Sequence, residues 1–240
     1  MKESRLMVKY STILFDVDGT LFDFSKCEDE AFREAFLRSG INTTDEMVKE
    51  YHEINDALWK ALERKEITRE VLVFRRFEIF AERYGFVIDA KKVALDYVDC
   101  LAEKAYFIEG AQEIIESLRG KVRLYIVTNG IKRVQSRRCE KSGFSKLFDG
   151  IFISEEIGFN KPDPRFFEYV AEHVENFDKA TTLVVGDSLS SDIKGGVGFG
   201  LDTVWYAPDA TEDSALPTYT IKNLCELNSI IFAEETDEGA

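Results

Sequence analysis

Short apolar runs recur along this chain, each ending in small or polar residues, and they restrict the fold more than any other feature. Residues 11–15, 122–128 (VRLYIVT), 151–154, 183–186 and 203–206 are brief, β-branched or aromatic, and bounded by turn formers. Runs of this kind are expected for strands of a parallel sheet that is covered on both faces. Helical stretches lie between them. Ala111–Leu118 precedes the second run, and residues 131–142 follow it, stopped by Gly143. A further helix starts at Pro164, with Asp163 placed as its N-cap. The alternation predicts an α/β fold built on a doubly wound parallel sheet.

The interval from Phe24 to Ala105 breaks that rhythm, because it holds no convincing strand and four long helical patterns. Met47, Tyr51, Ile54, Leu58 and Leu62 form one stripe, with Thr43 and Glu46 as its capping-box start. Val93, Tyr97 and Leu101 repeat the periodicity. The expected organisation is an α/β core from residues 1–22 and 108–232, interrupted by an inserted four-helix cap at 23–107. The two crossings, at 22–24 and 106–110, are expected to act as hinges. Residues 233–240 are expected to form an acidic, frayed tail.

Composition matters mainly for what it excludes. The net charge of -14 leaves no basic track for a nucleic-acid polymer, though one metal ion and one lysine suffice for a single phosphate. No apolar stretch reaches membrane-spanning length, and residues 1–9 lack the apolar segment of a signal peptide. Cys27, Cys100, Cys139 and Cys225 show no C-x-x-C spacing and are read as reduced packing residues. A cytoplasmic protein is expected, either monomer or dimer.

The chemistry concentrates where the apolar runs end. The first run leads into Asp16-Val17-Asp18-Gly19-Thr20-Leu21. Two carboxylates one residue apart are costly to bring together unless a cation or a shared proton compensates. At the end of a parallel strand they stand in the crevice where open α/β sheets bind ligands. The second run ends in Thr128-Asn129-Gly130, whose hydroxyl and backbone N–H groups suit phosphoryl oxygens. Lys161 stands in Lys161-Pro162-Asp163-Pro164 just before a helix start, where an ammonium can neutralise phosphate. A fourth run ends in Gly186-Asp187-Ser188-Leu189-Ser190-Ser191-Asp192. Asp187 offers the hard oxygen that Mg²⁺ prefers, and Asp192 either reaches the site through water or caps the following helix.

These four motifs, in this order over residues 10 to 230, resemble the haloacid dehalogenase-like hydrolase superfamily. The resemblance implies that Asp16 is a nucleophile, that Asp18 is general acid and then base, and that Thr128, Asn129 and Lys161 hold phosphoryl oxygens. It also implies Mg²⁺ held by Asp16, Asp187 and the backbone carbonyl of Asp18. Asp18 favours the phosphatase branch, since an alkoxide leaving group needs a proton and a halide does not. Dehalogenation is therefore disfavoured. The competing functions are a phosphosugar mutase of the same fold and a non-catalytic binding protein.

Substrate choice is expected to reside in the helical insertion. Tyr51, Asn55 and Trp59 recur at steps of four and are candidates for a face that stacks and hydrogen-bonds a base or sugar, with bundle core as the competing reading. Arg75 and Arg76 read as an exposed charged face. The stretch Tyr51-x-x-Ile54-Asn55-x-x-Leu58-Trp59, then Ile67-Thr68 and Ser154-Glu155-Glu156-Ile157-Gly158, resembles the bacterial pyrimidine 5′-nucleotidase branch. Asp18-Gly19-Thr20 keeps the general superfamily form. That resemblance implies a small phosphorylated metabolite as partner, a nucleoside monophosphate in preference to phosphoglycolate or a sugar phosphate.

Overall fold

The computed structural model describes residues 6–211 and 214–234. Strand β1 (Leu6–Val8) precedes β2 (Thr12–Phe15), and four helices follow: α1 (Phe24–Leu37), α2 (Asp45–Glu63), α3 (Arg69–Tyr84) and α4 (Ala90–Ala102). The chain then runs α5 (Ala111–Leu118), β3 (Arg123–Thr128), α6 (Lys132–Ser142), β4 (Gly150–Ile153), α7 (Ser154–Ile157) and α8 (Pro164–His173). It ends β5 (Thr182–Gly186), α9 (Lys194–Phe199), β6 (Asp202–Tyr206), β7 (Tyr219–Ile221), α10 (Leu227–Ile231) and β8 (Phe232–Glu234).

Six strands make one parallel sheet in the order β4-β3-β2-β5-β6-β7. The chain winds outward from β2 through β3 to β4 and then returns to β5 on the other side of β2. Ile13, Leu14 and Phe15 are fully buried, which is why β2 reads as a continuous apolar run. On one face, Leu14, Val127 and Val184 pack with Phe166, Phe167 and Val170 of α8. On the other, Phe15 meets Phe148 edge-on at 6.2 Å. The doubly wound sheet expected from the apolar runs is the one observed.

Two strand pairs escape the sequence reading. β7 is three residues long and adds to the sheet edge, while β1 and β8 pair antiparallel in a separate ribbon. Ala233 and Glu234 therefore belong to a strand and not to a tail; residues 235–240 lie outside the described residues, as do 1–5.

The chain divides into two units. One comprises residues 1–23, 107–132 and 142–240; the other comprises Phe24–Tyr106 and Arg133–Lys141. Most of α6 thus falls with the inserted helices, where the sequence placed it in the α/β core. The reason is visible in its contacts: Arg138 donates to the Lys104 carbonyl at 2.8 Å, and Lys141 to that of Glu103 at 2.6 Å.

The helical unit is organised by aromatic rings. Phe32 stacks on Tyr51 at 4.2 Å, Tyr51 on Phe77 at 5.6 Å, and Phe80 meets Phe32 edge-on at 5.0 Å. Helix α2 starts one residue later than the capping box implied. Thr44, not Thr43, is the N-cap, accepting from the Met47 backbone N–H at 3.3 Å. Its buried face accordingly runs through Val48, Tyr51, Ile54, Asn55 and Leu62. Among the described residues, no helix is long and apolar enough to cross a membrane, and all four cysteines are free.

Candidate active site

The site is assembled by strand register. Phe15 aligns with Ile126 of β3 and with Val185 of β5. The residues that follow on the three strands, Asp16, Val127-Thr128 and Gly186-Asp187, therefore emerge together at the carboxyl edge of the sheet. This edge includes the point where the strand order reverses about β2, the usual ligand crevice of open α/β sheets.

Asp16, Asp187 and Asp192 each offer a carboxylate oxygen, and the three oxygens lie within 4.8 Å of one another. Lys161, only 1% exposed, reaches into them: its Nζ donates to Asp16 Oδ1 at 2.6 Å, to Asp192 Oδ1 at 2.6 Å and to the Val127 carbonyl at 2.7 Å. All three ammonium hydrogens are thereby engaged. With all three ionised, three carboxylates against one ammonium carry −2, a match for a divalent cation. The donor set is entirely oxygen, which suits a hard ion such as Mg²⁺.

The excess of negative charge shows in the titration of these groups. Burial pushes the Asp16 carboxyl well above its ordinary value, Asp192 and Asp187 push the same way, and Lys161 opposes them. Asp187 is raised to about 7, first by burial and then by Asp192, with Asp18 adding to it. Burial alone would lower Lys161, but Asp16 and Asp192 outweigh it and hold the ammonium above lysine's usual range.

Two glycines make the cluster sterically possible. Gly19 has φ 85°, and a Cβ there would lie 2.7 Å from Asp187 Cγ. A Cβ on Gly186 would collide with the Asp192 side chain. The spacing Gly186-x₅-Asp192 is therefore a packing requirement, and it is the signal that marks Asp192 as part of the cluster. Asp192 does more than the sequence suggested: Oδ1 takes the lysine and Oδ2 accepts the Ser188 backbone N–H at 3.1 Å. Trp205, which the sequence reading passed over, fixes the Asp187 backbone by donating its indole N–H to the Asp187 carbonyl at 2.8 Å. Thr20 Oγ1 donates to Asp187 Oδ1 at 3.4 Å.

Asn129 is placed differently from the expectation. Its Nδ2 donates to the Lys161 carbonyl at 2.9 Å, and its Oδ1 accepts the Lys161 N–H at 2.8 Å. The side chain thereby clamps the lysine loop to the end of β3. Thr128 is buried at the end of β3, and Asp18 is half-buried in the turn closed by the Gly19 N–H on the Phe22 carbonyl at 2.9 Å.

Of the three candidate substrate residues of the helical unit, two lie in the bundle core, the competing reading, and one does not. Tyr51 and Asn55 are buried, Asn55 donating to Glu28 Oε1 at 2.8 Å and accepting from Arg76 at 3.0 Å. Trp59 is half-buried, with the Arg69 guanidinium 5.8 Å from its ring. Steps of four on a 3.6-residue helix rotate by about 40° each, which carries Trp59 off the line through Tyr51. Arg76 is buried beside Asn55, whereas Arg75 lies outside and pairs with Glu78 and Glu82. Glu28 is raised to about 8, chiefly by burial.

Comparison with known proteins gives a consistent result. The sequence profile of the haloacid dehalogenase-like hydrolases matches residues 10–200. The HAD-hydrolase YfnB of Bacillus subtilis is 40% identical over 232 residues, covering 96% of this chain and 99% of that protein. Its magnesium-bound crystal structure superposes with a TM-score of 0.89, covering 93% of this chain and 99% of the other. The pyrimidine 5′-nucleotidase PynA of Streptococcus pneumoniae is 37% identical, covering 91% of this chain and 93% of its own. The pyrimidine 5′-nucleotidase YjjG of Escherichia coli is 33% identical, covering 93% and 99% respectively.

Proposed function

Because the chain belongs to the haloacid dehalogenase-like hydrolases, we propose that it is a Mg²⁺-dependent phosphatase of pyrimidine nucleoside monophosphates working through a phosphorylated Asp16. The observation that carries this reading is the buried Lys161 bonded at once to Asp16 and Asp192, with Asp187 in the same cluster. Asp16, Asp187 and the Asp18 carbonyl, with Asp192 close by, would hold the metal ion, which would supply the positive charge that lets two anions meet.

The remaining chemistry is assigned to the chain's own groups. Lys161 holds Asp16 in one orientation and favours its ionised form against the effect of burial. An Asp16 carboxylate oxygen attacks phosphorus, and the bond from phosphorus to the leaving oxygen breaks. Asp18 gives that oxygen its proton, then takes a proton from water as the water attacks phosphorus and frees Asp16. Thr128 contributes its hydroxyl to the phosphoryl oxygens, and Asn129 acts chiefly by fixing Lys161.

The nucleotide preference is supported by two relatives named pyrimidine 5′-nucleotidases that match over more than nine-tenths of this chain. A cytoplasmic location is supported by the free cysteines. The test is phosphate release with Mg²⁺ from dUMP, dTMP, purine monophosphates, phosphoglycolate and sugar phosphates. The reading expects the pyrimidine nucleotides to give the highest kcat/KM and EDTA to abolish turnover. A sugar phosphate or phosphoglycolate in first place would contradict the substrate class, and isomer formation without phosphate release would identify a mutase.

A further inference from the structure

At the edge of the main sheet opposite the acidic cluster, where β2 and β3 begin, the α/β unit holds a cavity of about 480 Å³. Arg119, Lys121, Arg123 and Lys146 line it, and Asp149 is the one acid on its wall. This is an unusual local balance in a chain of net charge -14. Several cations elsewhere pair with carboxylates, as Arg38 does with Glu34, Arg83 with Glu50 and Lys92 with Asp96. Arg119, Lys121 and Lys146 are exposed and take part in no ion pair among the described residues.

The wall is also held in place. The Arg123 guanidinium donates to Thr12 Oγ1 at 2.8 Å and to the Asn176 carbonyl at 3.2 Å, two groups outside the lining, so Arg123 serves to fix the wall and not to meet the ligand. Asp149 Oδ2 accepts the Leu124 backbone N–H at 2.8 Å, which ties the acid to the backbone at the start of β3. Val122 and Phe148 are 8% exposed and provide an apolar base. Gathering the three unpaired charges of Arg119, Lys121 and Lys146 round a concavity raises the local potential, and the arrangement is relieved by an anion. Arginine forks favour the oxygens of phosphate in particular.

This cavity is not an approach to the catalytic cluster. The six residues of β3 separate the two, on the order of 17 Å at about 3.3 Å per residue. We propose that it is a second, metal-independent binding site for a small phosphate-bearing anion. The site differs from the catalytic one in kind, because the catalytic carboxylates without their cation repel the same ligand.

The test is titration calorimetry of the full chain in EDTA with inorganic pyrophosphate, alongside separate titrations with inorganic phosphate and a nucleoside diphosphate to tell a bare phosphate from a phosphorylated metabolite. The proposal expects one-to-one binding that weakens as salt is raised. The double variant Arg119→Ala/Lys146→Ala is expected to lose at least about tenfold in affinity for whichever titrant binds. Its Mg²⁺-dependent hydrolysis of an aryl phosphate should stay unchanged, which shows that the variant is folded and separates this site from the catalytic reading. Absence of binding in EDTA by all three titrants, or binding that survives the double substitution, would overturn it.

Discussion

Replacing Gly19 by alanine tests how tightly the turn after β2 is fitted to the end of β5. The new Cβ would stand 2.7 Å from Asp187 Cγ, whereas carbon atoms rest at about 3.5–4.0 Å, so the carboxylate must retreat by about 1 Å. The backbone adds its own cost, because φ is 85° and a side chain there is disfavoured by about 1–2 kcal/mol. For a chain of this size that corresponds to a fall in Tm of roughly 2–8 °C. The catalytic consequence is larger, since a misplacement of about 1 Å costs on the order of 100-fold in rate. The assay is kcat/KM on an aryl phosphate across a Mg²⁺ series, with thermal unfolding in parallel. A loss near 100-fold at limiting Mg²⁺, with a modest fall in Tm, is expected. Unchanged kcat/KM and Mg²⁺ dependence would refute the claim that Gly19 exists to admit the Asp187 carboxylate.

Two further outcomes follow from buried charge. Lys161→Met leaves Asp16 and Asp192 without their shared ammonium, and removing one partner of a buried pair costs about 3–5 kcal/mol. Urea unfolding in EDTA should show that loss, Mg²⁺ should restore part of it, and turnover should vanish; unchanged stability in EDTA would contradict the pairing. Glu28 in the helical unit has its carboxyl raised on folding from 4.5 to about 8, so the folded chain holds this proton more tightly than the unfolded one. The stability it contributes is full below pH 4.5 and is lost as pH rises towards about 8, a change of a few kcal/mol. Urea midpoints should therefore fall across that window in the wild type and stay flatter in Glu28→Gln; parallel profiles for the two proteins would refute it.

The core of the fold was legible because β2, β3 and β5 are buried on both faces, which forces an uninterrupted apolar run into the sequence. Strands β1, β7 and β8 were not legible, since three residues at a sheet edge or in a two-stranded ribbon carry no such demand. At the site, Asp16, Lys161 and Asp187 were marked by their place after strands or before a helix, which register then gathers. Asp192 was half-legible, because its role depends on the space that Gly186 leaves. Asn129 entered as a phosphate ligand through the resemblance alone, and nothing local in the sequence showed that its side chain bonds to the Lys161 backbone, 32 residues away. The helical unit misled most: periodicity grouped Tyr51, Asn55 and Trp59, while burial divides them. Arg76 looked like its exposed neighbour Arg75, yet the helix turns it inward to Asn55.

Catalysis of the proposed kind requires phosphate to pass through Asp16. Turnover of a phosphate-labelled pyrimidine nucleotide, quenched in acid and mapped by peptide mass spectrometry, tests this directly. The label should be found on the peptide carrying Asp16 in the wild type and be missing from Asp16→Asn. Release of phosphate with no labelled Asp16 peptide, or full turnover by Asp16→Asn, would contradict it.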